Sequence, residues 1–161
     1  MERKLIVHKV HGLCEVIDTV ELNETLYYKI KALNEDSLIL YCPIDKKNDL
    51  YRPLLTKEEI YDVLNYMKSI NDVEFDFSKQ RRTRFKELLY SGNIKNIGYL
   101  TRVLYLYKEY KGDKNQALGL EDTRMLDTAK RMLIDETSVV FNLTKEESDK
   151  FIHDYLYLGD N

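Results

Sequence analysis

Between Lys79 and Lys86 the chain reads Lys79-Gln80-Arg81-Arg82-Thr83-Arg84-Phe85-Lys86, five cations in eight residues with no acid among them. Cations this close repel one another, and they become favourable when a polyanion releases its condensed counterions, so the chemistry they suit is contact with phosphates. On a helix, Arg81 and Phe85 would share one side and Arg82 and Lys86 another. The competing reading is internal pairing with acids on either side, such as Asp72, Glu74, Asp76 or Glu121-Asp122. Charge alone weighs the two evenly, because exposed ion pairs are weak and basic clusters are common.

Other chemistry is sparse. His8, His11 and Cys14 are spaced three apart like metal ligands, but on extended strands His8 and His11 point to opposite faces. No second ligand pair follows at zinc-site spacing, so no metal is expected. The chain has no G-x-x-x-x-G-K-S/T or G-x-G-x-x-G phosphate cradle, and neither G-x-S-x-G nor H-E-x-x-H. Nearly all the carboxylates fall on predicted helix surfaces and read as solvated faces and caps. No enzyme activity, cofactor or small-molecule substrate is expected. The tyrosines of Tyr99–Tyr110 read as core with wet hydroxyls rather than a base-stacking platform.

The elements that must hold these residues change character once along the chain. Short apolar runs at Leu5–Val7, Leu13–Val20, Leu26–Ile30 and Leu38–Cys42, split by turn residues such as Asn23-Glu24 and Asn34-Glu35-Asp36, predict four or five antiparallel strands. Pro43 lacks a ladder N–H and ends the fourth run. Such strands suggest a small barrel of SH3 or Tudor type. From Thr56 the period is helical. Thr56-Lys57-Glu58-Glu59 and Thr144-Lys145-Glu146-Glu147 are capping boxes. The first opens a helix through Ile60, Val63, Leu64 and Met67, the second one through Phe151, Ile152, Tyr155 and Leu156. Between them come a helix from about Asp76 or Ser78 to Ser91-Gly92, one from about Ile94 to Tyr110 closed by Lys111-Gly112-Asp113, and one from about Leu120 to Val140. The fold class is α+β: an N-terminal small antiparallel barrel over 1–55, then an all-α domain of about five helices over 56–161.

The 161 residues suit one ordinary domain or two small ones. No stretch approaches the roughly 20 apolar residues of a membrane span, and charge interrupts the first eight residues too soon for a signal-peptide core, so a cytoplasmic address is expected. Cys14 and Cys42 lie in strand-like runs and read as small hydrophobes, not a disulfide framework. Net charge is −3, yet residues 79–114 carry +7 while 56–78 carry −4 and 115–161 carry −5. There are 13 tyrosines and no tryptophan.

Taken together these pieces resemble the CarD/CdnL family of RNA-polymerase-binding regulators over about His8 to Val140. His11-Gly12, Tyr27-Tyr28, Pro43 and Leu50-Tyr51-Arg52 are similar to that family's HG, YY, VP and GLR in order and spacing. Arg81-Arg82 followed by Leu88-Leu89-Tyr90-Ser91-Gly92-Asn93 resembles W-x-R-R … L-x-S-G-D. Arg102-Val103-Leu104-Tyr105 resembles V-R-D-L-Y/W, and Leu118 through Leu126, with Ala129, Leu133 and Glu136, resembles L-S-x-x-E-K-R-M-L … A … L … E. The resemblance implies that the first module is Tudor-like and docks on the polymerase β subunit by extending a sheet edge, with Tyr41, Pro43 and Arg52 as polymerase-binding residues. It implies that the helical domain touches promoter DNA, with Arg81, Arg102 and Arg124 as DNA-binding positions that keep the family's charge and Arg82 and Arg84 as local additions to that DNA-binding set, and that the outcome is a shift in promoter opening. The chain departs from the pattern where the family has a tryptophan wedge, which aligns with Ser78; Phe77, one position earlier, is the nearest candidate for an apolar DNA-binding wedge. Family basic positions are neutral at Thr83, Thr123 and Tyr41. The implied partners are therefore RNA polymerase and, through weak and mostly phosphate contacts, DNA. The alternative is a protein-interaction adaptor using the β module without DNA.

Overall fold

A computed structural model describes residues 3–36, 38–45, 49–75 and 78–158. It divides into two compact units, Met1–Leu54 and Leu55–Asn161.

The first unit is one antiparallel sheet of β1 (Lys4–His8), β2 (Gly12–Leu22), β3 (Thr25–Ala32), β4 (Ile39–Pro43) and β5 (Tyr51–Pro53), in the order β4-β3-β2-β1-β5. The β2–β3 hairpin turns on Asn23 (φ 49°) and Glu24 (φ 65°), both left-handed, as a two-residue turn matching strand twist requires. A bulge between Val16 and Asp18 breaks the β2 alternation. The sheet curls into a half-barrel over Ile6, Cys14, Ile30, Ala32 and Cys42, ringed by Val16, Tyr28, Leu38, Leu40 and Tyr51. The curl brings the Tyr51 ring of β5 edge-on to Tyr28 of β3 at 5.9 Å. Both cysteines are free and buried, and burial pushes the Cys14 thiol up to about 11.

One expectation fails in the first hairpin. Lys9–His11 form a turn, not strand, and Gly12 follows at φ 71°, so the face alternation stops at His8. The His8 and His11 rings therefore lie together, with centroids 4.9 Å apart, rather than on opposite faces. The His8 Nδ1 accepts the backbone N–H groups of Val10 and His11 at 3.1 and 3.2 Å. Burial, followed by the neighbouring His11 and Lys9, lowers the His8 pKa below its usual 6.5. Among the described residues, no group of three or more His, Cys, Asp or Glu side chains is placed to hold a metal.

The second unit comprises α1 (Lys57–Ser69), α2 (Arg81–Leu89), α3 (Ile94–Asp113), α4 (Leu120–Phe141) and α5 (Lys145–Tyr157). Thr56 and Thr144 form the two capping boxes. The anticipated stripes bury Ile60, Val63, Leu64 and Met67 against Leu100, Leu104, Leu126, Ala129, Leu133, Ile152 and Leu156. At Gly98 a Cβ would come within 3.0 Å of Val63 Cγ1 and 3.1 Å of Met67 Cγ, so the missing side chain lets α3 close on α1. The buried Glu136 carboxylate accepts the Leu55 N–H at 2.8 Å and fixes the start of the unit. α3 runs past Gly112; Asn115, at φ 58°, takes the left-handed turn that ends it. α2 starts later than expected, at Arg81, and Gly92 follows it with φ 76°. Among the described residues, no helix is long and apolar enough to cross a membrane.

Candidate functional site

α2 has little that would make it a helix on its own. Gln80 precedes it in the αR region with no side-chain cap, its first turn holds cations and no acid, and of its residues only Leu89 is buried. Cations at a helix N-terminus oppose the macrodipole. The compensation comes from α4, whose first turn carries Glu121 and Asp122. Arg81 Nη2 donates to Asp122 Oδ2 at 3.1 Å, with the carboxylate side chain only 6% exposed. Arg82 Nε lies 2.7 Å from Glu121 Oε2 in a pair that is 56% and 52% exposed. The start of α2 is thus tied to the start of α4.

Ser78 organises the approach to this junction. Its carbonyl accepts from Arg81 Nη1 at 3.3 Å and its hydroxyl from Arg84 Nη2 at 3.1 Å. Arg84 and Lys86 are exposed, as are Lys79 and Thr83. Arg124 is exposed in the first turns of α4, with no ion-pair partner among the described residues. Its i+3 spacing from Glu121 puts both on one side of the helix. Arg81, Arg82, Arg84 and Arg124 therefore belong to one neighbourhood, built from α2 and the N-terminus of α4.

Arg102 does not join them. It is 6% exposed, with Nε bonded to the Ile70 carbonyl at 3.1 Å, Nη2 3.5 Å from Asn71 Oδ1, and its guanidinium 5.4 Å from the Tyr157 ring centre. It anchors the chain leaving α1. Tyr157, in turn, has its hydroxyl pKa raised, first by burial and then by its bond to Glu109. Phe77 lies outside the described residues.

The sheet candidates divide between two strands. The Ala32 N–H donates to the Leu38 carbonyl and the Ile44 N–H to the Leu26 carbonyl, and the register pairs Ile30 with Leu40 and Tyr28 with Cys42. The backbone groups of Ile39, Tyr41 and Pro43 consequently point away from β3, to the outer side of β4. Pro43 presents only a carbonyl there. Tyr41, 49% exposed, stands beside it with Ile39. Arg52 sits on β5, at the other end of the strand order, where its Nη1 donates to the Pro53 carbonyl.

The organising acids, Glu121 and Asp122, were visible in sequence only as one of several possible pairings; their place opposite Arg82 and Arg81 depends on how α2 packs on the bundle. The burial of Arg102 had no signal in the spacing, since it lies off the α3 stripe of Ile97, Leu100, Leu104 and Tyr107 and is covered by the Ile70 carbonyl and the Tyr157 ring. The model of the CarD C-terminal domain family matches residues 60–153, more than half of the chain. No match is found among curated proteins.

Proposed function

The chain belongs to the CarD family, and on that premise we propose that it binds the β subunit of RNA polymerase and modulates promoter opening, touching DNA through the start of α2 and α4. A role in transcription follows from the family itself, whose regulators are non-enzymatic. The observation that carries the DNA half of the proposal is the convergence of Arg82, Arg84 and Arg124 on one exposed neighbourhood of the matched domain. Cations held there against a helix dipole weaken folding and suit a polyanion. For the polymerase half, β4 is the outer strand of the sheet order and turns the backbone groups of Ile39 and Tyr41 away from β3, where a partner strand can add.

Arg81 and Arg102 have structural partners, so their part is to shape the surface rather than grip phosphate. Ser78 in place of a wedge leaves phosphate contact as the main attraction, and DNA binding is weak. Such a protein occupies polymerase without the full grip of a tryptophan-bearing relative and competes with it.

The test is co-purification with polymerase, followed by open-complex lifetime with and without the protein. Retention on polymerase with an altered lifetime supports the proposal; no retention refutes it. The adaptor reading draws on one observation, the neutralisation of Arg81 and Arg82 by Asp122 and Glu121. It requires retention on polymerase with no affinity for duplex at any salt concentration.

A further inference from the structure

We infer that Glu121 sets how tightly this chain holds a nucleic-acid backbone, by occupying Arg82 in the place a phosphate would take. The inference rests on the reading above that α2 meets DNA, and it adds a determinant that this reading does not contain.

The two arginine–carboxylate pairs at the α2–α4 junction differ in kind. Asp122 is buried, and its partner Arg81 is also held by the Ser78 carbonyl. Separating that pair would strand a charge in the interior, so it serves the fold. Glu121 and Arg82 are each about half exposed and meet at 2.7 Å. A pair in that setting adds little to stability, because water and salt screen it and two long side chains must be held still. Its consequence lies in what it does to Arg82. The Nε of the guanidinium already faces an oxyanion whose charge offsets its own, so a phosphate competes with Glu121 for it.

When a phosphate takes Arg82, the Glu121 carboxylate is left beside a polyanion. The cation nearest in helical register is Arg124, on the same face of α4. Binding therefore exchanges one ion pair for another and adds a repulsion, whereas a free arginine would simply gain a contact. Glu121 also sits in the first turn of α4, where a negative charge favours the helix, so the acid is well tolerated when nothing is bound.

The experiment is fluorescence anisotropy of the full chain with a labelled 20-base-pair duplex over a salt series, using the wild type, Glu121→Gln, Arg82→Gln and the double variant. E121Q tightens binding about two- to fivefold and steepens the log–log salt dependence by about one, as one more phosphate contact requires. In the R82Q background the same E121Q change leaves affinity within about a factor of 1.5 of R82Q alone, because no guanidinium remains to be released. Glu121→Ser repeats the test should E121Q disturb the helix start. Equal tightening with and without Arg82 would mean a general charge effect and overturns the inference. Wild-type binding left unchanged by E121Q overturns it while leaving the DNA reading intact. No binding by any of the four proteins removes both.

Discussion

Two helices of the same bundle begin in opposite ways. α5 starts behind Thr144, whose hydroxyl accepts the Glu147 N–H while the Glu147 carboxylate accepts the Thr144 N–H, with Glu146 and Glu147 in the first turn. These bonds, the one to the Thr144 backbone foremost, hold the Glu147 carboxyl below its ordinary pKa. Cap, dipole and charge all agree. α2 starts behind Gln80 without a cap, with Arg81, Arg82 and Arg84 facing the wrong end of the dipole. Its start is secured by Asp122 of another helix. The contrast is between a helix whose cap and charges support its own start and one whose charges oppose it and whose start depends on another helix.

The comparison breaks most visibly in the shared core. Leu104→Ala, at a fully buried position of α3, lowers stability by about 3 kcal/mol in denaturant unfolding followed by helical circular dichroism, independently of salt. A loss under about 1 kcal/mol would mean that α3 is not the centre of the bundle. Asp122→Ala breaks the ion pair with Arg81 and removes about 2 kcal/mol, a buried-pair figure reduced because Arg81 is partly exposed. Its signature is local, with hydrogen exchange accelerating in α2 while α3 keeps its protection. Uniform loss of protection would argue against α2 depending on α4. Thr144→Ala removes about 1 kcal/mol through the cap, whereas Gln80→Ala changes nothing measurable, since Gln80 caps nothing.

The smallest effect belongs to the sheet. The folded pKa of His8 is lowered, so the unfolded chain binds the proton more readily and stability rises with pH. The contribution is fully present above the unfolded value near 6.5 and is lost as pH falls from there toward the lower folded value. Exchange of the Val10 and His11 amides, which His8 Nδ1 accepts, speeds up in that window relative to the amides of β2. Exchange indifferent to pH there, after correction for intrinsic rates, would place the turn under other control.

Much of the fold was legible because local rules were strong. Thr56-x-x-Glu59 and Thr144-x-x-Glu147 are self-contained, and the stripe Ile60, Val63, Leu64, Met67 has a helical period that nothing contradicts. Asn115 ended α3 in place of Gly112 because a glycine near a helix terminus is tolerated when the following residues supply the turn. His8 and His11 misled because three residues between strand-like runs make a turn, and face alternation has no meaning across it. The candidate site was legible as charge but not as geometry. Five cations in eight residues can be counted, yet which of them meets an acid depends on α4, about forty residues away, and Arg102 was drawn inside by the Ile70 carbonyl.

The central claim is that the arginines left exposed around α2 serve a polyanion. Its most direct test is duplex affinity of the full chain across a salt series, for the wild type and for Arg84→Glu combined with Lys86→Glu, two exposed positions. Affinity that falls linearly in log–log form with salt, and is abolished by the double reversal while helical content and polymerase retention persist, is the predicted result. Affinity indifferent to salt, or unchanged by reversing both charges, would contradict it.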